Sequence, residues 1–165
     1  MKLAIVALVL VQTTGCAARS RMGEVVVTQV GAQPCFGLEN TAATRHGQHQ
    51  LWSIAVYQRS GSDQRPVWAF TLPPLAQAPL LTPPACVPYG ETPAKATVKA
   101  AAAALQPGVV YLVSMSARGA NPHDLTISYS GEFCLVPAAE QRPSVHQVQW
   151  DNKAGKWQRD VCDAK

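Results

Sequence analysis

At 165 residues, 47% of them hydrophobic, the chain is long enough to bury a core of its own without a metal, and its length is that of one domain. The formal net charge is +4, carried by basic residues that are scattered (Arg45, Arg59, Arg65, Lys95, Lys99, Arg118, Lys153, Lys156) and form no dense run. A nucleic-acid footprint needs such a run, so that class is excluded.

The amino terminus is a leader. Lys2 precedes the apolar run Leu3 to Val11, which is too short to span a bilayer permanently. Thr13-Thr14-Gly15-Cys16 follows and resembles the lipobox of bacterial lipoproteins, in which a small residue precedes a lipidated Cys. Thr13 stands where that motif usually has Leu. This reading makes 1–15 a signal peptide, Cys16 the lipid carrier, 16–23 a tether and 24–165 the folded domain. Ala17 lacks the Asp that retains such lipoproteins at the inner membrane, which points to the inner leaflet of the outer membrane. Loss of Lys2 leaves 13 basic against 10 acidic residues, a net of +3.

Within the domain, 24–30 and 33–38 are β-branched or alternating runs and are predicted strands, and 39–48 has no period and is predicted loop. A third strand starts at His49. Its alternation puts Trp52, Ile54 and Val56 on one face and Ser53, Ala55 and Tyr57 on the other, with Trp52 as the core tryptophan of a sandwich. A turn at 60–63 leads to a strand over 66–72 holding Trp68 and Phe70. Seven prolines between Pro73 and Pro93 forbid helix and central strand, so this segment is extended, along an edge or across a face, with Cys86 as its anchor. Polyproline recognition competes with this stapled connection and is the less favoured reading.

The segment 95–104 ends in five alanines, and propensity favours a helix there; Thr97 and Val98 and the strand that should follow favour a strand, which is the reading adopted. Leu105-Gln106-Pro107-Gly108-Val109-Val110-Tyr111 then forms a corner entering an alternating strand, with Val109, Tyr111, Val113, Met115 and Ala117 on one face. The Leu-x-Pro-Gly-x-x-Tyr spacing resembles the corner of fibronectin type III and related immunoglobulin-like domains. It predicts that the Tyr111 hydroxyl returns to a backbone group a few residues upstream. A turn at 119–122 leads to Leu125, Ile127, Tyr129, Phe133 and Leu135, with a bulge at Gly131. Finally 145–150 and 156–162 flank a hairpin turn at 151–155. The expected fold is all-β, an immunoglobulin/fibronectin type III-like β-sandwich with an added C-terminal β-hairpin.

With Cys16 assigned to lipid, Cys35, Cys86, Cys134 and Cys162 remain, and an even count in an exported domain implies two disulfides. Three connectivities are possible; Cys35 with Cys162 and Cys86 with Cys134 is the one favoured, because it fastens both ends of the domain. A zinc site is the rival reading, weakened by the lack of any Cys-x-x-Cys pair. Of the histidines (His46, His49, His123, His146) only His46 and His49 are close in sequence, and their spacing in a loop gives no common face for a metal. No Gly-x-Ser-x-Gly elbow or phosphate loop is present, and Glu91, Glu132 and Asp151 are too dispersed to read as paired carboxylates. Ser130 beside Gly131 lies in a strand pattern, as a surface hydroxyl. The expectation is a binding protein and not an enzyme, without cofactor, metal or small-molecule substrate. Tyr57, Tyr89, Trp150 and Trp157 are its candidate partner contacts.

Taken in order, Pro34-Cys35-Phe36, Trp68, Cys86-Val87-Pro88-Tyr89-Gly90-Glu91, the corner from Leu105 to Tyr111, Tyr129, Glu132-Phe133-Cys134-Leu135, Trp150-Asp151 and Val161-Cys162 resemble the family of type VI secretion immunity periplasmic lipoproteins. The resemblance implies a periplasmic protein that neutralises a secreted toxin by stoichiometric occlusion. It carries over no binding residue, since the shared positions read as scaffold. An envelope structural or assembly lipoprotein, and an inhibitor of lysozyme, are the alternatives.

Overall fold

The computed structural model describes residues 21–60, 63–73, 78–137 and 143–163. The leader, Cys16 and most of the tether lie outside the described residues. The fold is nearly all β. In chain order the elements are β1 (Met22–Val30), β2 (Gln33–Leu38), α1 (Ala42–His46), β3 (His49–Ser60), β4 (Asp63–Thr71), β5 (Leu80–Leu81), β6 (Cys86–Pro88) and β7 (Thr97–Ala100). They continue with β8 (Val110–Arg118), β9 (Ser128–Val136), β10 (Ser144–Val148), β11 (Trp150–Asp151), β12 (Lys156–Trp157) and a short 3-10 turn (Asp160–Cys162). One curled, mixed sheet runs β6-β2-β1-β9-β8-β3-β4-β7, with β10 added to β9 and β5 to β3; β11 and β12 pair separately.

The curl originates in β1. Its first three residues pair in parallel with β9, and from Val25 onward it pairs antiparallel with β2. At the changeover a Cβ on Gly131 would lie 2.8 Å from the Val25 carbonyl oxygen, so only glycine lets the two backbones approach. Gly131 is therefore a close-approach residue and not the expected bulge: the β8–β9 register passes through Val113↔Gly131 without a shift. Beyond it β10 takes over the edge of β9, from Glu132 to Val136. The Gln147 side chain then stands in for a strand. Its oxygen accepts from Val27 N (2.8 Å) and its amide donates to Val25 O (3.2 Å), so the backbone groups β1 withdraws from β9 stay paired.

Curling lays Phe36 of β2 over Trp68 of β4 and Phe133 of β9, with ring centroids 6.2 and 5.4 Å apart. Tyr111 stacks on Phe133, and Ile54, Val56, Phe70, Val113 and Met115 complete a fully buried core. Each such side chain contributes roughly 1.5–3 kcal/mol by leaving water. The Tyr111 hydroxyl accepts from Gln106 N at 2.8 Å, and burial raises its pKa although that bond lowers it.

The core tryptophan is Trp68, not Trp52. A register shift between Leu51 and Ser53 turns Trp52 outward, where it is exposed, and puts Leu51 inward in its place. The alanine-containing segment supplies β7, an edge strand on β4, and the proline-rich segment supplies the short β5 and the edge strand β6, as extended chain. Leu125 and Ile127 precede β9 and are exposed, so the strand begins three residues later than their alternation suggests. The region expected to be loop contains α1. Thr41 and Thr44 form a reciprocal capping box that makes so short a helix possible.

The disulfides are Cys35–Cys86 and Cys134–Cys162, with Cα separations of 5.5 and 5.8 Å, in place of the crosswise pairing the sequence favoured. Strand register decides it. β2 pairs β6 with Cys35 opposite Pro88 and Gly37 opposite Cys86, which brings the two sulfurs together on the face away from Phe36.

Candidate partner-binding surface

On the face of β9 opposite the core, cross-strand register lines up Tyr57, Leu112, Glu132 and Val148. The C-terminal segment folds back over this row. Cys162 bonds Cys134, and Val148, Val110 and Val136 pack around the bridge as a second small apolar cluster. Glu132 is buried beneath it and holds two arginines. Arg159 donates from Nε and Nη2 to the two carboxylate oxygens at 2.7 and 2.8 Å, and Arg59 Nη1 donates to Oε1 from the other side. The hydrogen bonds to Glu132 raise the pKa of Arg159, so this cation stays charged.

Arg159 in turn lies 5.9 Å from the ring centre of Trp157, whose ring meets Trp150 edge to face at 5.6 Å. These two tryptophans are directly opposite each other in the β11–β12 pair. Between them the turn is closed by Asp151: its Oδ1 accepts from Lys153 N (2.8 Å) and Ala154 N (3.0 Å), and its carbonyl accepts from Gly155 N (2.8 Å). Gly155 sits at φ +63°, which favours glycine. These amide donors hold the Asp151 carboxyl below the ordinary carboxylate range. The result is a rigid hairpin carrying two indoles that are 48% and 37% exposed. It borders a cleft of about 620 Å³ whose opposite wall is the start of β1 with Glu39 and Ser130.

No family model, curated protein or solved structure matches the chain. The assignment of a surface therefore rests on geometry alone. Trp150 and Trp157 are brought together; Tyr57 is half-buried in the row that continues through Leu112 to Glu132. Tyr89 is not a contact residue. It is buried, its ring packs on Trp68 at 5.2 Å, and its hydroxyl donates to the Ala103 carbonyl at 2.7 Å, with burial pushing its pKa up to about 12. Of the three dispersed acids, Glu132 serves the two arginines and Asp151 the turn.

Sequence reasoning missed Arg59, Glu132 and Arg159 as a unit, because residues 73 and 27 positions apart leave no local pattern. It also weighed His49 only as a poor metal candidate beside His46. His49 is fully buried, with Nε2 3.4 Å from Asp124 Oδ2 and its ring edge-on to Tyr129, whose pKa is raised to about 12 by burial and by the charges of Asp124 and Glu39. Among the described residues no group of three or more His, Cys, Asp or Glu side chains could hold a metal ion.

Proposed function

We propose that this chain is an exported, lipid-anchored immunity protein of the type VI secretion immunity periplasmic lipoprotein family. It binds a secreted antibacterial toxin and neutralises it by stoichiometric occlusion, without turnover, cofactor or metal. It is held by lipid on Cys16 at the inner leaflet of the outer membrane, facing the periplasm. The single observation that carries the reading is the exposed Trp150–Trp157 pair, held from behind by Arg159, Glu132 and the Cys134–Cys162 bridge. Rigid, amphipathic aromatic anchors of this kind lose little entropy on docking and are typical of residues that carry binding energy at protein interfaces. Two disulfides fit an oxidising compartment.

The same reading makes the curled sheet an immunoglobulin/fibronectin type III-like sandwich. Support comes from the Tyr111 hydroxyl returning to Gln106 and from the Phe36, Trp68 and Phe133 layer between β2 and the strands it covers.

Affinity capture with the mature, oxidised protein tests the function, run beside a Trp150→Ala/Trp157→Ala variant. The expected result is one toxin-like protein in a one-to-one complex, retained by the parent, weakly retained by the variant, and inactive until released. Retention of cell-wall or outer-membrane components instead would replace the immunity reading with an envelope structural role. Stoichiometric inhibition of purified lysozyme would replace it with the inhibitor role.

A further inference from the structure

The cleft between β1 and the β11–β12 hairpin holds about 620 Å³, within the ~300–1,000 Å³ range of small-ligand sites. Its chemistry is mixed. Trp150 and Trp157 stand with their ring planes 73° apart, so a flat ligand laid on one indole face meets the edge of the other. Around them are polar groups with hydrogen-bonding capacity to spare. Among the described residues neither indole N–H, nor the carboxamides of Gln149 and Asn152, has a hydrogen-bond partner within the protein; Glu39 forms no ion pair and its carboxylate accepts only from Glu24 N at 3.4 Å, and Ser130 Oγ donates only to the Met22 sulfur.

Each ligand class meets this lining differently. An acyl chain would strip water from a carboxylate and two amides and give nothing back. A nucleic acid would place phosphates against Glu24 and Glu39, with Arg21 the one cation in the lining. A pyranose has the needed duality: a C–H face that covers an indole, and a rim of hydroxyls that both donate and accept.

We propose that this cleft is a binding site for a neutral oligosaccharide. One ring stacks on an exposed indole, and its hydroxyls or acetamido group pair with Glu39, Gln149, Asn152 and Ser130. The site is preorganised. Asp151 closes the turn, Arg159 supports Trp157, and Gly131 and the buried Val148 form the floor, so the geometry exists before the ligand arrives. The inference goes beyond toxin binding and does not depend on it, although both use Trp150 and Trp157 and the two ligands would compete.

The experiment is a titration of the mature, oxidised protein with the trimer of N-acetylglucosamine, and in parallel the trimer of glucose, followed by tryptophan fluorescence and calorimetry. A saturable signal in the micromolar to millimolar range is expected. Trp157→Ala should weaken it about tenfold or more, equivalent to ~1.4 kcal/mol. Asn152→Ala and Glu39→Gln leave the hairpin intact and should each weaken binding several-fold, which guards against a Trp157→Ala protein that has lost its hairpin. Trp52→Phe, on the distant bulge, should leave the affinity unchanged. Co-sedimentation with purified sacculi would identify the wall glycan as the source, and binding of the trimer without it a soluble sugar. No saturable signal from either trimer at millimolar concentration, or affinity unmoved by the Asn152, Glu39 and Trp157 changes, overturns the proposal.

Discussion

Arg159 grips Glu132 through two parallel hydrogen bonds, 2.7 Å from Nε and 2.8 Å from Nη2, across the outer face of β9. The glutamate is 4% exposed in its side chain while Arg159 and Arg59 are 35% and 40% exposed, so the carboxylate alone bears the desolvation. Solvent reaching the arginines discounts the pair below the value of a fully buried one. Arg159→Ala is expected to cost about 1–3 kcal/mol, because Arg59 still serves one oxygen while the other is left buried without a donor. Lysine cannot reproduce the fork, so Arg159→Lys should recover only part of the loss. Urea melts of the three proteins check this, and equal midpoints would remove the role.

Non-reducing peptide mapping should recover Cys35 with Cys86 and Cys134 with Cys162. The bridges close loops spanning 51 and 28 positions, for which chain entropy gives about 4 and 3.5 kcal/mol. The second has a local consequence as well. Cys134→Ser/Cys162→Ser should free the C-terminal segment from β9, loosening Arg159 and raising the accessibility of both hairpin tryptophans to a fluorescence quencher. Cys35→Ser/Cys86→Ser should destabilise the fold without changing that quenching.

Tyr111→Phe keeps the ring on Phe133 and removes only the hydroxyl that accepts from Gln106 N. The amide is then left beneath a ring edge without its acceptor, and the expected cost is about 1–3 kcal/mol. A thermal melt reads it directly. An unchanged midpoint would show that water replaces the hydroxyl and that the corner is not closed by this bond.

What could be read from the sequence follows the range of the physics involved. Two-residue alternation is local, and it placed β8, with Tyr111, Val113, Met115 and Ala117 buried; β-branched Thr97 and Val98 marked the strand in the alanine-rich stretch, and proline density marked its neighbouring stretch only as extended chain, within which β5 and β6 form. Trp52 shows where locality fails. Its alternation with Ile54 is sound, but the shift between Leu51 and Ser53 is set by pairing with β8, more than fifty residues away. Helix α1 spans five residues, too few to display a period, and the only available signal was the Thr41 and Thr44 spacing of its cap. The cysteine pairs likewise depend on which strand lies beside β2. For the candidate site, the tryptophans and the turn at Asp151 were legible because a hairpin is local; Glu132 and its arginines were not, because they meet only when the tail folds back over β9.

The hairpin should also respond to acid, in a direction fixed by Asp151. Its carboxyl is held below the ordinary value near 3.8 by the amides of Ala154 and Lys153, and then by Gln158. A depressed pKa means that the ionised form is favoured in the closed turn. The stabilisation is thus fully present above the unfolded pKa and is lost as pH falls through the lower, folded one. Amide proton shifts of Lys153 and Ala154 should therefore stay constant at neutral pH and move together in acid with a midpoint below the ordinary carboxylate value, with the Trp150–Trp157 contact loosening over the same interval. Asp151→Asn keeps an acceptor oxygen without the charge. It should retain a weaker turn and abolish the acid transition in those two amides, whereas Asp151→Ala should open the turn at every pH. A parent protein whose Lys153 and Ala154 amides titrate together above the ordinary carboxylate range would place the proton on another group and break the link between this carboxylate and the display of the two indoles.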